Sequence, residues 1–353
     1  MKPTQCQPVV ELTRGRIVES IHFGAIAVVD AHGQLLASCG DPDTVTFLRS
    51  SAKPFQALPF IERGGDGAFG LTPREVALIC ASHAGTDEHV SVVSGIQAKA
   101  GVREQDLLCG VHPPFHTPTA TRLACQGEAL TPNRHNCSGK HTGMVAHARL
   151  RGLPTENYID LEHPIQKSIL AAFAEMCDLP EAAVEIGIDG CSAPNYAVPL
   201  RSAALAYARL MDPAGQAPER AAACERISAA MTGFPEMVGG PERFDTELMS
   251  FASGRILAKA GAEGYQALGL RAGALGPGTP ALGVAFKVSD GDLGLRASAC
   301  VALEVLRQLG AISQQDVEVF NGRAAGPIYN WRRLHVGDMR TGFVLERFPT
   351  QSV

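Results

Sequence analysis

No pair of cysteines in this sequence has the Cys-x-x-Cys spacing, although ten cysteines occur in 353 residues. Zinc ribbons and thioredoxin-like redox sites use that spacing, so the sequence disfavours both. No stretch approaches about 18 uninterrupted apolar residues, and the start, MKPTQCQPVVEL, lacks the apolar segment of a secretory signal. We therefore expect no transmembrane helix and no signal peptide. The cysteines then predict reduced thiols in a cytoplasmic protein.

A strong charge of either sign is also missing. The formal net charge is −5 and the isoelectric point is about 6.1, which disfavours nucleic acid or an anionic membrane as a main partner. Hydrophobic residues make up 45% of the chain and charged residues 19%. These values are typical of a soluble globular protein with a sizeable core.

Lysine is scarce, with 7 residues against 24 arginines, so each lysine is informative. Lys53 follows Ser50 by three residues, where a strand-rich start gives way to a helix. If that helix begins near Ser50, the two side chains lie one turn apart on the same face. A neutral lysine amine there could take the serine proton, as nucleophilic catalysis requires. A serine N-cap followed by a solvated lysine fits the same spacing.

The segments on either side of this pair carry clear turn signals. Residues 16–29 and 34–38 alternate apolar and polar side chains around Asp30-Ala-His-Gly33, which predicts a β-hairpin. Lys53 to Arg63 is predicted as a helix that ends at Gly64. Strands therefore precede the Ser-x-x-Lys pair, and a helix follows it.

A short polar junction between two helices is predicted farther along the chain. Thr72-Pro-Arg-Glu75 has the pattern of a capping box and begins a helix, and residues 87–100 form the next helix. Residues 82–86 are therefore a tight junction between helices. Ser82 and His83 in this junction can face a cleft, or they can cap the preceding helix.

The most unusual stretch is Asn136 to Met144, NCSGKHTGM, which follows the proline-rich residues 109–135, predicted as a loop. Its Gly-Lys pair is not a phosphate-binding loop, because position 134, where such a loop has its first glycine, is arginine. Cys137 and Lys140 can share one face at the start of a helix. A thiol in that position is a metal or redox candidate, and a small buried thiol is the alternative.

The second half of the chain has one further candidate turn. A short apolar strand runs into Gly187-Ile-Asp-Gly-Cys-Ser-Ala-Pro-Asn195, where Asp189 either bonds its own turn or faces a site. Residues 199–231 are predicted as helix with a break at 212–215, and residues 295–309 as the last clear helix. The final 40 residues show no clear periodicity.

Together, four stretches resemble one family, the L-asparaginases of the Rhizobium etli type, also called asparaginase II or thermolabile asparaginases. The similarity covers most of the chain, and the stretches occur in the family's order: RSSAKPFQALP, ASHAGTDEHV, NCSGKHTGM and GIDGCSAPNYAVPL. The resemblance implies an α/β (α+β) fold like that of serine β-lactamases and glutaminases. In that fold an antiparallel sheet is flanked by helices, with an adjoining helical region. We expect one catalytic domain over residues 1–353, with strands at about 8–48 and the helical region at about 50–260.

The resemblance also implies an activity and a set of residues. Members of the family are homodimers that hydrolyse L-asparagine to L-aspartate and ammonia. Ser50 and Lys53 match the first Ser-Lys pair, and Ser82 and Lys259 match the second. The family's zinc ligands correspond to Cys137, Lys140 and Cys191, and its substrate-binding residues to Arg49, Asp189 and His141.

The chemistry of these residues is consistent with amide hydrolysis. The first assignment is Ser50 as nucleophile, Lys53 as its base, and Ser82 with Lys259 as a proton relay; the reverse order of the two pairs is open. A lysine acts as a base only when burial or a second ammonium lowers its pKa. Zinc held by two thiolates and an amine is unusual, and His141 and His135 are rivals of Lys140 on ligand chemistry alone. We expect the metal to position the substrate.

Three other functions fit parts of the sequence. Penicillin-binding proteins and β-lactamases share Ser-x-x-Lys, but their Ser-Asp-Asn and Lys-Thr-Gly elements do not occur here. A glutaminase would use the same chemistry on a substrate one methylene longer. Discrimination against one methylene contributes only about 1–3 kcal/mol of binding free energy. A zinc- or amino-acid-binding sensor would keep the fold without turnover.

Overall fold

The computed structural model of the protein describes residues 5–349. Its strands are β1 Gln7–Arg14, β2 Ile17–Asp30, β3 Leu35–Cys39, β4 Val45–Phe47, β5 Glu185–Ile188, β6 Pro194–Pro199, β7 Ile256–Ala260, β8 Tyr265–Leu270, β9 Leu282–Val288, β10 Gly326–Tyr329, β11 His335–Thr341 and β12 Glu346–Arg347. Its α-helices are α1 Lys53–Glu62, α2 Gly65–Ala68, α3 Pro73–Ile79, α4 Asp87–Ala100, α5 Thr117–Gln126, α6 Ser138–Leu150, α7 Pro164–Met176, α8 Leu200–Met211, α9 Pro218–Gly233, α10 Pro235–Val238, α11 Phe244–Ala252, α12 Ala297–Leu309 and α13 Gln314–Val319. Short 3₁₀ turns occur at Arg49–Ala52, Glu104–Asp106, Pro132–Arg134 and Glu181–Ala183.

The long strand β2 is the centre of the main sheet. Its first half pairs with β1 and its second half pairs with β3, on the same edge, while β9 pairs along the other edge. The sheet order is β10-β11-β1-β2-β9-β8-β7, and every pairing between described residues is antiparallel. The predicted hairpin at Asp30–Gly33 is confirmed, because Asp30 N donates to the Gln34 carbonyl between β2 and β3.

Helix α8 packs directly on β8 and β9 because two facing strand positions are glycine. Gly269 and Gly283 are cross-strand partners. A Cβ atom at Gly283 would lie 1.7 Å from the Ala204 carbonyl oxygen, and one at Gly269 would lie 2.6 Å from the Met211 side chain. Residues 25–29 of β2 are all buried, as expected for a strand covered on both faces.

The adjoining helices form a cluster around α1 and α6. Helix α1 packs against α6, α7 and α9, and residues 138–148 of α6 are buried throughout. The capping box at Thr72 and Glu75 is present at the start of α3. The predicted fold class, an antiparallel sheet flanked by helices with an adjoining helical region, is confirmed.

Two local predictions are corrected by the structure. Residues 109–135 are not all loop, since α5 occupies Thr117–Gln126 with Pro118 in its first turn, where proline is tolerated. The helix predicted at Lys53 to Arg63 is confirmed as α1, and a 3₁₀ turn at residues 49–52 precedes it. The last 40 residues contain β10, β11 and β12, of which β11 pairs with β1.

Between residues 5 and 349, no helix is both long enough and apolar enough to cross a membrane.

Candidate active site

The turn that carries Ser50 aligns it with Lys53. Residues 49–52 form a 3₁₀ turn in which Lys53 N donates to the Ser50 carbonyl. A 3₁₀ helix has three residues per turn, so side chains three apart lie one above the other. Ser50 is half-buried, and its hydroxyl has no hydrogen-bond partner among the described residues. It therefore remains free to meet a substrate.

Ser82 lies between the two lysines. Its Oγ is 2.8 Å from Lys53 Nζ and 3.0 Å from Lys259 Nζ. All three side chains are buried. The pairing of Ser82 with Lys259 joins segments 177 residues apart, and it requires the corner after α3 to meet the end of β7.

Backbone carbonyls fix both amines. Lys53 Nζ donates to the Ala81 carbonyl at 2.6 Å and to the Asn136 carbonyl at 3.4 Å. Lys259 Nζ donates to the Ala260 carbonyl at 2.9 Å. These bonds hold each amine beside Ser82 in a defined orientation.

Burial lowers the pKa of Lys259 to about 7. The Lys53 and Arg243 charges act in the same direction, while Asp245 and, more weakly, Cys137 oppose the shift. An amine with this pKa is neutral in a large fraction of molecules near pH 7, as a general base must be. Lys259 thus has the electrostatic environment of a catalytic lysine.

His83 does not contact Ser82 as a base. Its Nδ1 accepts a hydrogen bond from Gly85 N, and its Nε2 lies 2.8 Å from Ser138 Oγ. Burial, together with the neighbouring His89 and Lys53, lowers the pKa of His83 well below its ordinary value. This neutral ring connects the Ser82 corner to the first residue of α6.

A second cluster lies where α6 begins. Lys140 Nζ donates to Cys191 Sγ at 2.9 Å. Cys191 lowers the pKa of the Cys137 thiol, and Cys137 raises the pKa of the Cys191 thiol. Burial disfavours the Lys140 ammonium, but Cys191, Cys137 and Asp189 outweigh burial and raise its pKa.

Tyr158 orients the ring of His141. Leu108 N donates to the Tyr158 hydroxyl at 2.7 Å, and this hydroxyl is hydrogen-bonded to His141 Nδ1, 2.6 Å away. Nε2 is buried without a hydrogen-bond partner of normal geometry, and Cys191 is close enough to act on the titration of this ring.

The turn of Ser50 and the loop of Cys191 are joined by an ion pair. Arg49 Nε donates to Asp189 Oδ1 at 2.6 Å, and Arg49 N donates to Asn195 Oδ1 at 3.0 Å. Burial opposes ionisation of Asp189, but Lys140 and Arg49 outweigh burial and lower its pKa. Arg49 has a left-handed backbone, with φ of 51°.

The donor chemistry of the second cluster fits a metal ion. Two thiols and an amine converge in a buried position, beside an imidazole nitrogen that lacks a partner. Among the described residues, no group of three or more His, Cys, Asp or Glu side chains is arranged to hold a metal. A site here therefore needs Lys140 as the third ligand, and zinc stays a prediction.

The predicted residues form two neighbouring clusters. Ser82 is in contact with Lys53 and Lys259, and Cys191 is in contact with Cys137, Lys140 and His141. Sequence reasoning missed three residues that support these clusters: Asn136, Tyr158 and Asp245. The sequence pattern could have indicated that Asp245 is buried, because it lies at helical spacing from Leu248, Met249 and Ala252 on the buried face of α11.

The sequence matches the L-asparaginase II family over residues 10–341. The chain belongs to this family. Family membership supports an amidohydrolase, which agrees with a buried serine hydroxyl placed between two lysine amines. No curated protein matches the sequence.

Solved structures with partial similarity include glutaminases. The Bacillus subtilis glutaminase YbgJ, in covalent complex with 5-oxo-L-norleucine, is 13% identical, with a TM-score of 0.33 over 76% of this chain and 80% of that chain. A Bacillus glutaminase in 4.3 M NaCl is 14% identical, with a TM-score of 0.32 over 76% of this chain and 84% of that chain. Mglu in its native form is 17% identical, with a TM-score of 0.34 over 80% of this chain and 60% of that chain.

Proposed function

We propose that this protein hydrolyses L-asparagine to L-aspartate and ammonia through an acyl-enzyme formed on Ser50. The observation that carries the proposal is the position of Ser82 Oγ between Lys53 Nζ and Lys259 Nζ. Such an arrangement supplies a proton relay next to a half-buried, unpartnered serine on the adjoining turn. Membership of the L-asparaginase II family supports the choice of substrate.

The proton route follows from the contacts. Lys259, with a pKa of about 7, is the terminal base. A proton passed from Lys53 through Ser82 Oγ to Lys259 leaves Lys53 neutral, so Lys53 can take the proton of Ser50 as its oxygen attacks the side-chain amide carbon. When the C–N bond breaks, the relay returns a proton to the departing ammonia. Water then cleaves the Ser50 ester and releases aspartate.

Cys137, Lys140 and Cys191 would hold a zinc ion in this proposal. When bound, zinc would supply positive charge that orients the substrate carboxylate. The Arg49–Asp189 pair keeps this cluster next to the Ser50 turn and offers a carboxylate for the substrate ammonium. We also propose that the protein is cytoplasmic and that its active form is a homodimer. Light scattering of the purified protein tests the homodimer.

Ammonia release from asparagine is the primary test, with glutamine as the competing substrate. We expect wild-type protein to release ammonia from asparagine with the higher kcat/KM. Ser50→Ala should reduce kcat by several orders of magnitude, because a lost nucleophile is rarely replaced. Ser228→Ala, at another buried serine, is the matched control and should keep activity. Higher kcat/KM with glutamine would identify a glutaminase instead.

Covalent labelling distinguishes the two serines. A diazoketone analogue of asparagine should modify the attacking hydroxyl, and peptide mass spectrometry then locates it. Modification of Ser50 in wild-type protein and its loss in Ser50→Ala support the assignment. Modification of Ser82 would reverse the two Ser-Lys pairs. Tight asparagine binding with neither labelling nor ammonia release would favour the amino-acid sensor.

A further inference from the structure

Asp245 is a buried carboxylate that lies behind Lys259 and belongs to neither cluster of the candidate site. It is the second residue of α11, and only 6% of it is exposed. An ionised group at such depth needs compensating partners. Its partners are therefore informative about its role.

Both carboxylate oxygens are bound to the end of the β7–β8 hairpin. Asp245 Oδ2 accepts a 2.6 Å bond from Ala260 N, and Oδ1 accepts a 3.0 Å bond from Gln266 Nε2. Ala260 and Gln266 are directly paired across the two strands. The carboxylate thus binds Ala260, the last residue of β7, and also its cross-strand partner Gln266 on β8.

The held residue is the one that orients Lys259. Lys259 Nζ donates to the Ala260 carbonyl and to Ser82 Oγ. On the other side, the Lys259 carbonyl accepts a 2.6 Å bond from Ser51 Oγ. A shift of the peptide unit at 259–260 would move the amine away from Ser82.

The charge of Asp245 also acts on the amine. The charged or titratable groups around Lys259 are Lys53 from α1, Asp245 from α11, Arg243 before α11, Cys137 before α6 and Cys80 after α3. Among them Asp245 exerts the largest charge effect, and it favours the ammonium form. Asp245 therefore limits how far burial lowers the pKa of Lys259.

We propose that Asp245 is a positioning residue for the Ser82–Lys259 relay: its carboxylate fixes the peptide unit that aims Lys259 Nζ at Ser82 Oγ and places a negative charge behind that amine. The kinetic consequence depends on the proposed function, whereas the titration of Lys259 does not.

Asp245→Asn separates the charge from the hydrogen bonds. The new amide can accept from Ala260 N and donate to Gln266 Oε1 once the Gln266 amide rotates by half a turn, so both contacts survive. Removal of the negative charge should lower the titration midpoint of Lys259 by about one pH unit. The acid limb of the kcat/KM profile should move down by the same amount, because neutral lysine is then present at lower pH.

The titration is measured by NMR of protein labelled with ¹³C at lysine Cε. Only 7 lysines contribute signals, and a Lys259→Arg variant assigns the signal of Lys259. Asp292→Asn is the matched control, since Asp292 is a buried carboxylate near the start of α12 that bonds to Arg296 N and Ser298 N. It should leave the Lys259 midpoint unchanged. An unchanged midpoint in Asp245→Asn, or an equal shift in Asp292→Asn, overturns the proposal.

Asp245→Glu tests the positioning role independently, including the case in which Asp245→Asn does not fold. It keeps the charge but moves the carboxylate by one methylene, so the hydrogen bond from Ala260 N is lost or distorted. The Lys259 midpoint should stay within about half a unit of wild type while kcat/KM falls at least tenfold; wild-type kcat/KM would overturn positioning. A Lys259 midpoint that shifts in Asp245→Asn, in a protein without amidase activity, would refute the proposed function and leave the role of Asp245 standing.

Discussion

Arg49 Nε lies 2.6 Å from Asp189 Oδ1, and this ion pair connects two segments that are 140 residues apart. Arg49 precedes Ser50, and Asp189 precedes Cys191 by two residues. The small sheet β4-β6-β5 brings these segments together, since β4 leads into the Ser50 turn and β5 leads into the Cys191 loop. The Ser50 turn and the Cys191 loop therefore lie side by side.

Replacement of Arg49 by glycine or alanine should separate the effect of its ion pair with Asp189 from the effect of its left-handed backbone. Both changes remove the ion pair, so we expect KM for asparagine to rise by at least tenfold in each variant. Glycine adopts the left-handed φ of 51° without the cost that a Cβ imposes. Arg49→Gly should therefore be more stable than Arg49→Ala by about 1 kcal/mol in urea unfolding. A more stable alanine variant would show that the turn does not keep this conformation.

The buried Lys259 should make stability depend on pH. Its pKa is about 7 in the folded chain and 10.5 ordinarily, so between these values the unfolded chain binds a proton that the folded chain does not. The free energy of unfolding contributed by this residue is thus lowest below pH 7 and rises up to about pH 10.5. Lys259→Met should be more stable than wild type at pH 6.5 by a few kcal/mol, with a smaller difference at pH 9.

Urea unfolding at the two pH values measures this difference. Lys167→Met, at an exposed lysine, is the control and should show no such trend. A stability difference for Lys259→Met that is independent of pH would mean that Lys259 is not buried in neutral form.

Local sequence signals predicted the elements whose contacts span a few residues. The hairpin at Asp30–Gly33 and the capping box at Thr72 depend only on neighbours within four residues, and both are present. Prolines misled the prediction for residues 109–135, because Pro118 lies in the first turn of a helix, where proline is tolerated. Strand β11 was not predicted, because its residues show no clear periodicity; it pairs with the nearby β10 and also with β1, more than 300 residues away in the chain.

The candidate site was predictable in residue type but not in pairing. The spacing of Ser50 and Lys53 indicated a shared face, which the 3₁₀ turn supplies. The contact of Lys53 with Ser82, however, depends on how α1 packs beside the corner after α3, and no spacing encodes that packing. The same holds for Asp245, whose position became informative only when its bond to Ala260 N was known.

The contact between α8 and the sheet should not tolerate a side chain at Gly283. A Cβ there would lie 1.7 Å from the Ala204 carbonyl oxygen, so the helix must move away from β9. We expect Gly283→Ala to lower the free energy of unfolding by at least about 3 kcal/mol, as measured by urea unfolding. Gly67→Ala, in α2 with no atom within 4 Å of the new Cβ, should be neutral or slightly stabilising. Equal stability of the two variants would contradict this packing.

Zinc binding should depend on both thiols and on Lys140. Elemental analysis of wild-type protein supplied with zinc should give one ion per chain, and Cys137→Ala or Cys191→Ala should give none. Lys140→Ala should bind more weakly, because two thiolates still provide the strongest part of the ligand set. Cys300→Ala removes a thiol that is equally buried but lies in α12. It should therefore keep full stoichiometry.

The kinetics of the zinc variants test what the ion does. If zinc orients the substrate carboxylate, its loss should raise KM for asparagine more than it lowers kcat, because Ser50, Ser82, Lys53 and Lys259 remain in place. A fall in kcat with unchanged KM would assign the ion to the chemical step instead. Full zinc content in Cys137→Ala, or none in wild-type protein, would refute the metal site and leave the proposed role of Ser82, Lys53 and Lys259 untouched.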